Sequence, residues 1–167
     1  MLVDLINEIF LPFYGYNAGL EFEKPTYKGV SVSISYSADL IVVGVSSEGY
    51  IGVDVEKMNN VDFYPYETEY TSEEWRLVID SVHKLEGFYT IWTRKEAVLK
   101  ADGRGLSQEL STFSVADDVV KLPFSVQLWN LCSFRFLEVF MMSVAGSEQP
   151  MEIKIEEAKI FNFAAKG

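Results

Sequence analysis

The sequence has one cysteine, Cys132, and one histidine, His83, in 167 residues. A single thiol excludes an internal disulfide and a cysteine-based zinc site, and it fits a reducing compartment. Cys132 reads as a small buried hydrophobe. The lone imidazole has no second His or Cys to complete a metal set and reads as a surface group between two helices. Positive charge is scarce: 14 Lys and Arg stand against 25 Asp and Glu, for a net charge of −11. That balance argues against broad binding of nucleic acid or an anionic membrane through overall charge, while leaving room for a local basic site. Long apolar runs are missing too. The uncharged stretches Ile9–Leu20 and Leu122–Phe134 fall short of the roughly 20 residues a membrane helix needs. No Lys or Arg precedes Lys24, so the basic start of a secretory signal is absent and a cytoplasmic protein is expected. A nucleophile elbow, a P-loop and a dinucleotide fingerprint are absent as well.

What remains is apolar enough to fold. Hydrophobic residues make up 49% and aromatic residues 14%, enough for the core of one domain. Leu2, Leu5, Ile6, Ile9 and Phe10 recur at helical spacing before Pro12 and Gly15. From Val30 to Glu56 the texture turns to short β-rich runs, which read as an antiparallel meander. Asn59–Tyr70 is acidic and aromatic with Pro65 inside it, a loop whose Phe63, Tyr64, Tyr66 and Tyr70 are expected to anchor it to the core. Thr71 with Glu73 and Glu74 predicts a helix start, and a longer helix is predicted from Leu85 to Ala101, closed by Gly103 and Gly105. Strand patterns return at Thr112–Val115, Val126–Leu131, Phe134–Val144 and Met151–Ile155. The sum is an α+β domain with a mostly antiparallel sheet packed on the long helix.

Three places can carry chemistry. In Gly52-Val53-Asp54-Val55-Glu56, strand alternation sends Asp54 and Glu56 to one face and the valines to the other. Two neighbouring carboxylates repel unless they meet water or share a divalent cation; alone, such a pair is more often solvated. In Trp92–Leu106, the residues Trp92, Glu96 and Lys100 fall on one helix stripe, beside a basic island of Arg94, Lys95, Lys100 and Arg104. By itself Glu96 with Lys100 reads as an ordinary solvated pair. Third, Ser31, Ser33, Ser35 and Ser37 alternate with Val32, Ile34 and Tyr36, and read as a solvated strand face.

Taken in order, these pieces resemble the 4′-phosphopantetheinyl transferase superfamily, in particular its surfactin-synthetase-activating type. That family runs through a Gly-Lys-Pro element, a serine–histidine–serine strand and G-hydrophobic-D-hydrophobic-E. A Phe-Thr-x-x-Glu helix start and W-x-x-K-E-A-x-x-K-A-x-G-x-G-L follow. Here stand Glu23-Lys24-Pro25, Ser35-Tyr36-Ser37, Gly52 to Glu56, Tyr70 to Glu74, and Trp92 to Leu106, the last matching at every defining position.

The resemblance implies an enzyme that moves the 4′-phosphopantetheine arm of coenzyme A to a serine of an apo acyl or peptidyl carrier protein, a holo-acyl-carrier-protein synthase activity that releases adenosine 3′,5′-bisphosphate. It implies Mg²⁺ on Asp54, Glu56 and Glu96, with Glu96 as the base and Lys100 on the pyrophosphate. Lys95 is then expected on the coenzyme A phosphates, Lys24, Ser35 and Tyr36 near the nucleotide, and Arg94 and Arg104 on the docked carrier. Tyr36 replaces the family's histidine, so a neutral phenol stands where a chargeable imidazole meets the 3′-phosphate. The type also implies two similar halves with the site between them. Only 53 residues precede Asp54, so a reduced first half over 1–50 and a second half over 51–167 are expected. Either Lys24 and Lys28 then suffice at the nucleotide or a second subunit, in a homo-oligomer, completes the cleft. The alternative reading is a relative that binds coenzyme A or a carrier protein without transfer.

Overall fold

The computed structural model describes residues 26–27 (by backbone only), 29–103, 109–123, 125–149 and 151–156. The compact unit spans Phe22–Met151, and Met1–Glu21 with Glu152–Gly167 make a second unit. The helix expected over residues 2–10 lies outside the described residues. Within the larger unit, β1 (Thr26–Tyr27), β2 (Val30–Ser37) and β3 (Leu40–Ser46) form one antiparallel sheet in that order. Strands β4 (Ile51–Lys57), β5 (Val119–Lys121), β6 (Leu128–Phe136) and β7 (Phe140–Gly146) form a second antiparallel sheet, ordered β4-β7-β6-β5. Helices α1 (Ser72–Asp80) and α2 (Lys84–Asp102) fill the connection between β4 and β5, so the fold is α+β, as expected. Among the described residues no helix is long and apolar enough to cross a membrane.

The expected meander ends at β3. Strand β4 leaves it to pair with β7, placing Asp54 opposite Ser143 and Val55 opposite Met142. Strand β3 packs on β4 without pairing to it, closely enough at Gly44 that a Cβ there would stand 2.5 Å from Val53 Cγ1. As the end strand of its sheet, β4 has an open edge, and open edges need covering. Strand β2 covers it with side chains. The hydroxyls of Ser31, Ser33, Ser35 and Ser37 accept hydrogen bonds from the backbone N–H groups of Ile51, Val53, Val55 and Lys57, at 3.1, 3.0, 3.2 and 3.0 Å. The serine face is therefore largely buried, where the sequence predicts a solvated one. A hydroxyl can replace a strand carbonyl as acceptor, which alternation alone does not reveal.

Both predicted helices form where expected. Thr71 and Glu74 make a reciprocal capping box at the start of α1, and α2 ends at Gly103 with φ +81°. Between β4 and α1, Tyr64–Glu69 form a 3₁₀ turn; Phe63 and Tyr70 anchor it, while Tyr64 and Tyr66 remain exposed. The later strands are redrawn. Leu110–Thr112 is a 3₁₀ turn, β5 is a strand the sequence does not predict, and 151–156 contain no strand. The boundary between β6 and β7 falls at 137–139, where Leu137 and Glu138 take left-handed φ of +47° and +61° without a glycine to mark the turn.

One face of the second sheet carries α2. Thr93 of the helix shares a hydrogen bond with Ser143 of β7 at 2.7 Å, and Ser143 shares another with Ser133 of β6 at 2.8 Å. On β4 the contact is with bare backbone: a Cβ on Gly52 would overlap Ala97 O and Ala101 N, and would stand 2.9 Å from Ala101 Cα. The small residues at 52, 97 and 101 thus let helix and strand approach until their backbones touch. Because helical and strand backbone cannot swing aside, Gly52→Ala should cost about 3 kcal/mol or more, the upper end for overpacking. Denaturant unfolding measures it; a loss below about 0.5 kcal/mol, well under that range, would mean that α2 does not rest on Gly52.

Candidate active site

Strand alternation places Gly52, Asp54 and Glu56 on the face that α2 crosses. With the helix seated on Gly52, its Glu96 and Lys100, one turn apart, come to the strand's carboxylates. Lys100 Nζ donates to Asp54 Oδ1 at 2.7 Å and to Ser35 Oγ at 3.1 Å. Ser35 Oγ donates to the same Asp54 oxygen at 2.8 Å, and Ser37 Oγ donates to Glu56 Oε2 at 2.8 Å. Asp54 is buried, with 3% of its surface exposed, while Glu56 and Glu96 are half-buried. The second Asp54 oxygen, Oδ2, is buried without a hydrogen-bond partner.

The electrostatics are those of too much negative charge. Burial pushes Asp54 above the usual carboxylate range, opposed chiefly by the Lys100 ammonium. Burial also raises Glu56, opposed by the Ser37 hydrogen bond and assisted by the Asp54 charge. Glu96 is raised by burial first and by Asp54 second, with Lys100 opposing. Three carboxylates thus lean on one ammonium. As they stand, no three His, Cys, Asp or Glu side chains among the described residues converge on one point. The donor set nevertheless suits a hard divalent cation: it is all oxygen, it carries more negative charge than Lys100 offsets, and Asp54 Oδ2 is desolvated with nothing to bond.

The sequence pattern of the 4′-phosphopantetheinyl transferase superfamily matches residues 50–139, from the start of β4 to the β6–β7 turn. The chain belongs to this superfamily. It is 35% identical over 94 residues to the 4′-phosphopantetheinyl transferase ffp of Bacillus subtilis, covering 54% of this chain and 41% of that protein. It is 26% identical over 144 residues to the human L-aminoadipate-semialdehyde dehydrogenase-phosphopantetheinyl transferase, covering 80% of this chain and 43% of that one. The chain therefore spans about two fifths of these relatives. The crystal structure of Thermotoga maritima holo-[acyl-carrier-protein] synthase overlaps 57% of this chain and 61% of that one, at 18% identity and a TM-score of 0.45.

The phosphopantetheinyl transferase motifs do not all meet at the site. Asp54, Glu56, Glu96, Lys100 and Ser35 do. Lys24, Lys28 and Arg104 lie outside the described residues. Tyr36, 66% exposed, extends from the face of β2 opposite Ser35 and Ser37, away from the carboxylates. Lys95 corrects the expectation of a phosphate contact: it is fully buried, pairs with Glu74 at 2.9 Å, and donates to Leu110 O and Phe113 O at 2.7 Å each. Burial lowers its pKa against the pull of Glu74. Arg94, expected on the carrier surface, donates to Ser133 Oγ at 2.9 Å and Val115 O at 3.0 Å, and pairs with Asp118 at 2.7 Å. The reason is helical: adjacent residues point about 100° apart, so Arg94 and Lys95 fasten the 110–118 segment while Glu96 and Lys100 face β4. Sequence reasoning missed Glu74, whose capping role was legible but whose other oxygen accepts from Val115 N at 2.7 Å, and Ser37, quoted in the motif without a role.

The raised carboxylates set a pH dependence. Folding raises their proton affinity, so their support for the fold is complete below the unfolded carboxylate range and is lost as pH climbs through their raised values. Without divalent metal, Glu96→Gln should therefore gain stability relative to the unsubstituted chain between pH 4 and pH 7, read from denaturant midpoints at both. A constant difference would contradict the clustering of the three charges.

Proposed function

We propose that this protein transfers the 4′-phosphopantetheine arm of coenzyme A to the serine hydroxyl of an apo acyl or peptidyl carrier protein, releasing adenosine 3′,5′-bisphosphate with the aid of Mg²⁺. The observation that carries the reading is that Asp54, Glu56 and Glu96 lie close enough to feel one another's charge and that of one lysine, within the stretch that matches the superfamily. Further support comes from the names of the relatives, which are phosphopantetheinyl transferases.

The chemistry assigned to each residue follows from its setting. Asp54, Glu56 and Glu96 would hold the cation, which supplies neutralisation of pyrophosphate charge during attack at phosphorus. The carrier serine oxygen forms a bond to the phosphorus of the pantetheine phosphate as the bond to the bridging oxygen breaks; the nucleotide leaves with that oxygen. Glu96 accepts the serine proton. Its carboxylate makes no hydrogen bond among the described residues, and its raised pKa makes it a stronger base than an exposed glutamate. Lys100 spends two of its three donors on Asp54 and Ser35, leaving the third for a phosphate oxygen and for charge on the leaving group.

One second reading has specific support. Lys95 is buried against Glu74, so one expected coenzyme A contact cannot reach a ligand. That favours a relative that binds coenzyme A or a carrier protein without transfer. Intact-mass measurement of several apo carriers after incubation with this protein, coenzyme A and Mg²⁺ separates the two. Transfer adds the phosphopantetheine mass and is abolished by Asp54→Asn. No mass gain, with coenzyme A binding that ignores Mg²⁺, would establish the second reading.

A further inference from the structure

The four serines of β2 are not equivalent. Each hydroxyl accepts one N–H from β4, spaced two residues apart with a constant offset of twenty positions. Only the last two turn their own protons to a carboxylate, Ser35 to Asp54 Oδ1 and Ser37 to Glu56 Oε2. Ser31 and Ser33 donate to no carboxylate among the described residues. The comb is thus one device with two functions: all four teeth hold the strand, and two of them also hold its acids.

A carboxylate side chain is free to rotate about its own bonds, and a hydrogen bond to one oxygen decides which oxygen is left over. Ser35, together with Lys100, occupies Asp54 Oδ1 and leaves Oδ2 buried and unbonded. Ser37 occupies Glu56 Oε2 and leaves Oε1. The backbone bond that each serine accepts fixes its hydroxyl against the strand that bears the acid, so donor and acid move as one piece.

We propose that Ser35 and Ser37 are positioning residues that aim the free oxygens of Asp54 and Glu56 for a divalent cation. The inference rests on the proposed metal role of those carboxylates. Groups that hydrogen-bond metal-ligating carboxylates typically change affinity by about 10- to 100-fold when removed.

The test compares Ser31→Ala, Ser33→Ala, Ser35→Ala and Ser37→Ala in the full chain, with Ser37→Thr as the variant that keeps the hydroxyl. Mn²⁺ is titrated with and without saturating coenzyme A, free Mn²⁺ is read by electron paramagnetic resonance, and thermal unfolding is followed in parallel. All four alanine variants lose an acceptor for β4, so all four should lower the melting temperature. Only Ser35→Ala and Ser37→Ala should weaken Mn²⁺ binding, each by about tenfold or more, with Ser37→Thr close to the unsubstituted chain. An equal loss of affinity in all four, or unchanged affinity in the last two, would reduce the comb to a structural role and overturn the inference. If the unsubstituted chain binds no Mn²⁺ under either condition, the metal reading falls and takes this inference with it. The Ser37 pair decides the matter even if Ser35→Ala does not fold.

Discussion

Everything at the site depends on a helix and a strand approaching until their backbones touch. Gly52 has no side chain, and the helix opposite it offers Ala97 O and Ala101 N. That contact fixes the depth and the rotation of the helix over β4. With the rotation set, Glu96 and Lys100, neighbours of the two alanines, have only one direction to point. The strand's own alternation brings Asp54 and Glu56 to the same place. A larger residue at any of the three small positions would lift the helix and draw the charges apart.

The fold then tolerates a charge arrangement that it does little to relieve. Asp54 is buried against a lysine and a serine, and its second oxygen has no partner. By contrast, the neighbouring buried pair Lys95 and Glu74 is almost saturated with hydrogen bonds, to Leu110, Phe113, Val115 and Thr71. One helix therefore carries two ionic clusters of opposite kind. The saturated one anchors a loop and has no capacity left for a ligand; the unsaturated one keeps oxygen atoms free at a cost to stability, the usual signature of a functional centre.

Much of this was legible in the sequence. Alternation put Asp54 and Glu56 on one face, helical spacing put Glu96 and Lys100 on one stripe, and the order of the motifs gave the superfamily. The capping box at Thr71 and the glycine stop at 103 were visible for the same local reasons. Long-range pairing was not visible. Nothing in Val30–Glu56 says that β4 will abandon β3 for a strand some ninety residues later, or that serines will cover its edge in place of carbonyls. Charge counting also misled: Arg94 and Lys95 lie in the basic island, but each is neutralised by an acid distant in sequence, Asp118 and Glu74, and gives its other donors largely to backbone carbonyls, which leave no mark in composition.

Asp54, Glu56 and Glu96 are proposed to form one cation site held by β4 and its helix. The most direct measurement is anomalous diffraction from crystals soaked in Mn²⁺. A cation site there gives a peak among these three carboxylates, with Asp54 Oδ2 turned to the ion and Ser35 still bonded to Oδ1. A peak confined to other carboxylates, or none at this site when Mn²⁺ is supplied with coenzyme A, would contradict it.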